Sequence, residues 1–74
     1  MKIKRLKDLR EDRDFTQREI AEYLNITRST YANYEVGYRT ASIEILSDLA
    51  DFYGTGIDYI VGRTDVVKPY PKGN

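Results

Sequence analysis

TQREIAEYLNITRSTYANYE, residues 16–35, holds two short helical patterns separated by the break Leu24-Asn25-Ile26. Thr16 is placed to cap the first helix through the amide of Glu19, while the Glu19 side chain reaches back to the Thr16 amide. Phe15 before that cap and Ile20 inside the first turn are spaced as a hydrophobic staple. Thr27, flanked by Ile26 and Tyr31, repeats the arrangement. Asn25 falls where the chain leaves the first helix with a positive φ, a conformation that Asn tolerates better than any residue but glycine. Ala21 supplies a small side chain where the second helix must approach closely. Two helices joined in this way cross steeply, the arrangement by which small proteins offer one helix to the DNA major groove.

Outward from this pair, Ile3, Leu6, Leu9 and Arg13 recur at helical spacing, which predicts a first helix over residues 2–13, closed by Asp12-Arg13-Asp14. The second helix spans Gln17 to Leu24 and buries Ile20, Ala21 and Leu24. The third spans Arg28 to Glu35, buries Tyr31 and Tyr34, and ends at Gly37. After a loop from Tyr38 to Ala41, Ser42 caps a fourth helix with Ile45, Leu46, Leu49, Ala50 and Tyr53 along one side. Gly54 stops it, and Ile57 to Val61 form a short fifth helix. Residues 1–63 therefore read as one all-α domain, with the two-helix motif at 17–36. Residues 64–74, TDVVKPYPKGN, read as an extended or flexible tail in which only Val66-Val67 has strand character.

A chain of 74 residues makes one domain with a modest core. It has no cysteine and no histidine, which removes disulfides, thiolate metal sites, the commonest metal ligand and the commonest general base. This suits a reducing cytoplasm. No apolar run approaches the roughly 20 residues of a membrane span, and the stretch MKIKRLKDLRED lacks the uninterrupted apolar segment of a signal peptide. Asp8, Glu11, Asp12 and Asp14 cluster, but they read as a solvated helix end. No enzyme, cofactor or metal is expected. The formal charge is zero, yet unevenly spread. Residues 1–41 carry nine Lys/Arg against seven Asp/Glu, whereas residues 42–60 carry four acids and no base. Such asymmetry would orient the domain on an anionic polymer.

FTQREIAEYL, ITRSTYANYEVG and SIEILSDLADFYGTGIDYIVGR, in this order and at these separations, resemble the Cro/phage-repressor (xenobiotic-response-element) helix-turn-helix family. The likeness covers roughly residues 3–63 and implies a five-helix, lambda-repressor-like DNA-binding domain. Asn25, Ala41 and Gly56 stand where the family often has Gly, Pro and Ser. Tyr31 replaces the usual Ile or Val, so part of its ring and its hydroxyl are expected at the domain edge.

If the third helix packs inward through Tyr31, Tyr34 and Glu35, its opposite face carries Arg28, Ser29, Ala32 and Asn33, with Thr27 at the tip. Arg28 suits a bidentate contact with guanine, Asn33 one with adenine, and Ser29 and Thr27 are less selective. The bland alternative is an ordinary exposed polar face. Gln17, at a helix N-terminus, is placed to grip a phosphate, and the resemblance implies that it grips the DNA backbone and braces the recognition helix. Thr30, Arg39 and Tyr38 are further phosphate candidates. The resemblance also implies an ion pair between Arg10 and Glu35, and a dimer surface from Ile57, Tyr59, Ile60 and the pair Val66-Val67. Core completion is the simpler reading of Ile57 and Ile60; Tyr59 and the Val pair leave the choice open. The expected partner is double-stranded DNA, met as a homodimer on a near-palindrome by a transcriptional repressor. An antitoxin-type protein-interaction module, with the tail as its contact segment, is the alternative.

Overall fold

The structure is a computed structural model that describes residues 3–68. It is all-helical: α1 (Lys4–Asp12), α2 (Gln17–Leu24), α3 (Arg28–Val36), α4 (Ile43–Tyr53) and α5 (Ile57–Ile60), with no strand among the described residues. No helix among them is long and apolar enough to cross a membrane.

Helix α1 is shorter than the predicted 2–13. Ile3 takes an extended conformation at its start, offers no capping side chain, and is buried instead, so it anchors the helix by packing. At the other end Asp14 adopts φ 60°, turning the chain sharply toward α2.

The capping box at α2 is complete. Thr16 Oγ1 accepts from the Glu19 amide at 3.1 Å, and Glu19 Oε1 accepts from the Thr16 amide at 2.8 Å. Asn25 closes this helix in the left-handed region, at φ 62° and ψ 38°. The Ile26 amide then donates to Ala21 O at 3.0 Å, bringing the chain round to α3. Thr27 Oγ1 caps α3 through the Thr30 amide at 3.1 Å, and the Thr27 and Thr30 hydroxyls lie 2.8 Å apart. Ser42 caps α4 through Ile45, and α5 begins at Gly56 with no side-chain cap.

The core is built from Ile3, Leu6, Leu9, Ile20, Ala21, Leu24, Tyr31, Leu46, Leu49, Ala50, Tyr53 and Ile60. Tyr31 differs from its expected place: it is 0% exposed, ring and hydroxyl both inside. Ala21, Ala41 and Ala50 are all buried, and three small side chains leave volume that two whole tyrosine rings, Tyr31 and Tyr53, can fill. Ile60, 1% exposed, completes the core beneath α5, the simpler of the two readings its sequence position offered, and is withdrawn from the dimer surface that the family likeness implied. Tyr34 and Ile57 are only half-buried against the same core.

The chain after α5 runs back along the body. Arg5 Nη1 donates to Tyr59 O at 2.8 Å and to Thr64 O at 2.7 Å, and Arg5 pairs with Asp65. Buried Thr55 donates its hydroxyl to Val67 O. Val66 and Val67 are exposed and unpaired with any strand. The rest of the tail, from Pro69, lies outside the described residues, as do Met1 and Lys2.

Candidate nucleic-acid interface

The first turn of α3 lies uncovered. Thr27, Arg28 and Ser29 are exposed, whereas Thr30, Ala32 and Asn33 are half-buried. The opposite side of the helix is the buried one, through Tyr31 and Glu35. The 100° step per residue produces this division once Tyr31 enters the core.

Arg28 does not stand alone. Its Nη1 donates to Gln17 Oε1 at 3.1 Å, and Gln17 Nε2 donates to Glu35 Oε1 at 3.1 Å. Gln17 and Arg28 are each the first residue of their helix, so the turn at Asn25 brings two helix N-termini side by side. Glu35 in turn takes Arg10 Nε on Oε2 at 2.7 Å and Arg10 Nη2 on Oε1 at 3.1 Å. The remaining Arg10 nitrogen, Nη1, donates to Phe15 O at 2.9 Å, fixing the entry to α2. One polar chain therefore runs from the exposed guanidinium of Arg28 through Gln17 and Glu35 to Arg10.

The electrostatics follow from that chain. The hydrogen bond to Glu35 raises the pKa of Arg10 despite burial, so the guanidinium stays charged. Burial pushes the Glu35 carboxyl up, but the Arg10, Tyr31 and Gln17 side chains outweigh it and hold Glu35 below its ordinary value of 4.5. Tyr53, enclosed nearby, has its hydroxyl pushed up to about 12 by burial.

The other residues singled out in the sequence fall in two places. Tyr38, 81% exposed, and exposed Arg39 lie in the loop after α3, which the Arg39 amide ties to Asn33 O at 3.2 Å. Ile57, Tyr59 and Val66 line a shallow groove of about 200 Å³ with Lys68, on the α5 side. The Tyr59 ring there lies under the Arg5 guanidinium, 4.2 Å from ring centroid to Cζ. Sequence reasoning missed Arg5 and Thr55, whose acceptors include main-chain carbonyls and so leave no trace in residue identity. The bracing of the recognition helix by Gln17 that the family likeness implies is made here through Arg28, a partner the sequence left unnamed.

Two short helices joined at a left-handed Asn, with the polar first turn of the second left uncovered, define a helix-turn-helix domain. The chain belongs to the helix-turn-helix family of the Cro/phage-repressor type, whose match spans residues 6–60. It is 43% identical over 63 residues to the HTH-type transcriptional regulator AnsR of Bacillus subtilis (strain 168), covering 85% of this chain and 54% of that protein. Against the HTH-type transcriptional regulator ImmR of the same organism the identity is 40% over 65 residues, covering 88% and 51%. The cryptic phage CTXphi transcriptional repressor RstR of Vibrio cholerae is 34% identical over 61 residues, covering 82% and 55%. The chain thus spans about half the length of these curated relatives. No solved structure matches it. The family, and the names of these relatives, set the chain apart from enzymes.

Proposed function

We propose that this protein binds double-stranded DNA sequence-specifically through the outer face of α3 and represses transcription as a homodimer. The observation that carries the reading is the uncovered first turn of α3, where Arg28 is braced by Gln17 above a buried carboxylate. A guanidinium held by one of its nitrogens keeps its other donors for the two acceptors of a guanine edge. Asn33 is the adenine reader, and Ser29 and Thr27 make the less selective contacts. Gln17 retains a second amide hydrogen for phosphate beside the free amides of the α2 N-terminus. Thr30, Tyr38 and Arg39 flank this face and take the neighbouring phosphates.

One helix reads only a few base pairs, so useful affinity requires two copies on half-sites about 34 Å apart. The α5 side supplies their contact through Ile57, Tyr59, Val66 and Val67, since Ile60 is withdrawn into the core. The relatives named as regulators, one of them a phage repressor, support the same reading.

Enrichment of bound duplexes from a random pool tests it, followed by gel shifts at about 50 and 200 mM salt. The expected result is a near-palindromic motif whose binding falls roughly a thousandfold across that range, as for six or more phosphate contacts. No enriched motif, together with no binding at the lower salt, would overturn the proposal.

A further inference from the structure

Glu35 is the hub of the polar chain, and its N–H donors leave part of it unused. An ionised carboxylate offers about four lone-pair sites. Oε1 receives Arg10 and Gln17, while Oε2 receives Arg10 alone. Tyr31 lies one turn earlier on the same buried face of α3. At that spacing the two side chains are neighbours, and Glu35 leans back toward the turn that carries Tyr31. The Tyr31 and Tyr53 hydroxyls are both enclosed with no group at hydrogen-bonding geometry to either, and Tyr53 also lies within the field of Arg10 and Glu35, but only Tyr31 shares the helix and face of Glu35. A phenol shut away from water without an acceptor is unfavourable, and an ionised carboxylate with a spare site is the strongest acceptor it can meet. Burial first, and then the Glu35 carboxylate, raise the pKa of this hydroxyl above its ordinary value. The Glu35 charge therefore acts on it even though the two are not aligned as a regular bond. A small rotation of either side chain converts proximity into donation.

We propose that Tyr31 is a positioning residue for DNA reading: its hydroxyl donates to Glu35 and completes the cradle that orients Gln17 and, through Gln17, Arg28. The inference rests on reading the outer face of α3 as the DNA-reading surface. The logic of the relay is directional. Glu35, when ionised, only accepts, so Gln17 must turn its nitrogen inward and its oxygen outward. That outward oxygen holds Arg28. If Glu35 loses a donor it binds a proton more readily at acid pH, and near neutrality its carboxylate, still ionised, is free to rotate and no longer fixes where Gln17 presents its oxygen to the guanidinium. A side chain at position 31 without a hydroxyl cannot exert this control.

The test is Tyr31→Phe, which keeps the ring and removes only the hydroxyl, beside Tyr53→Phe as the matched loss of a buried hydroxyl on α4. Carboxyl-carbon NMR of the free protein is expected to show Glu35 in Tyr31→Phe protonating about one pH unit higher than in wild type. The Gln17 side-chain amide resonances move with it. On DNA, preference at the base read by Arg28 is expected to fall about fivefold, while binding to random duplex changes by less than about twofold. Tyr53→Phe leaves all three readouts near wild type. An unmoved Glu35 titration in Tyr31→Phe overturns the proposal, as does an equal shift in Tyr53→Phe, which would mean general loosening. A moved titration with intact base preference removes the positioning role while keeping the hydrogen bond. If wild type itself binds no DNA, the reading of the α3 face fails and the positioning role goes with it, a failure the free-protein titration distinguishes from loss of the hydrogen bond.

Discussion

Helix α1 sends out two arginines, and they meet carboxylates under opposite conditions. Arg10 and Glu35 have side chains 11% and 3% exposed, and every nitrogen of the guanidinium has a protein acceptor. Arg5 and Asp65 are 27% and 94% exposed. On one side the charges are withdrawn from water, so each depends on the other. On the other side Asp65 keeps its hydration, and the firmer partners of Arg5 are two main-chain carbonyls and the face of Tyr59. The same kind of ion pair thus organises the reading helix in one place and merely decorates a tether in the other.

The largest effect that can break this contrast is the loss of one member of the buried pair. Arg10→Met or Glu35→Gln is expected to destabilise the domain by about 3–5 kcal/mol, because the remaining charge or its donors stay inside without compensation. Urea midpoints equal to wild type would show that the buried pair is no more valuable than an exposed one. The pH dependence carries the same signature. Glu35 has a depressed pKa in the folded state, so its contribution is fully present above the ordinary value of 4.5 and is lost as pH falls through the lower folded value. Glu35→Gln is therefore expected to be less stable than wild type near neutrality, with the difference narrowing toward pH 3. A constant difference across that range would contradict the assignment.

Next in size is the effect at the outer end of the relay. Arg28→Ala is expected to cost about 1–3 kcal/mol of discrimination at one base position. Gln17→Ala is expected to weaken all sites through the lost phosphate contact and, because Gln17 holds Arg28, to relax that same position in part. A double-mutant cycle on specific against random duplex sharpens the point, with an expected coupling of about 0.5–3 kcal/mol between positions 17 and 28. Purely additive losses would mean that the bond between them has no part in reading.

The two regions also differ in how far the sequence announced them. Thr16, Glu19, Asn25 and Thr27 act within a few residues of themselves, so their caps and the left-handed turn can be read from local spacing. The Arg10–Glu35 pair spans 25 residues and was reached through family likeness rather than spacing. Tyr31 was misplaced at the domain edge because its burial depends on the volume left by Ala21, Ala41 and Ala50 on other segments. For Ile60 the simpler reading, core completion, matches its burial, whereas Ile57, read the same way, is only half-buried, since a one-turn helix has too few residues to show which side faces in. The tether by Arg5 and Thr55 was invisible for a different reason: a backbone carbonyl is offered by every residue, so acceptors at 59, 64 and 67 carry no compositional mark.

The smallest expected effect tests the exposed side directly. Asp65→Asn removes the charge but leaves Arg5 its carbonyls, and exposed pairs of this kind contribute little. The urea midpoint is expected to stay within measurement error of wild type, at low and at high salt alike. Arg5→Met goes further, because it also removes the bonds to Tyr59 O and Thr64 O and the contact with the Tyr59 ring. About 1 kcal/mol is expected from lost hydrogen bonds that water can partly replace. Amide exchange near residues 64–67 is expected to quicken while α2 and α3 remain protected, since the bonds and ring contact of Arg5 go to α5 and the segment after it. A loss in Asp65→Asn as large as that in Arg10→Met would reverse the comparison, because it would mean that withdrawal from water is not what sets the worth of these two ion pairs.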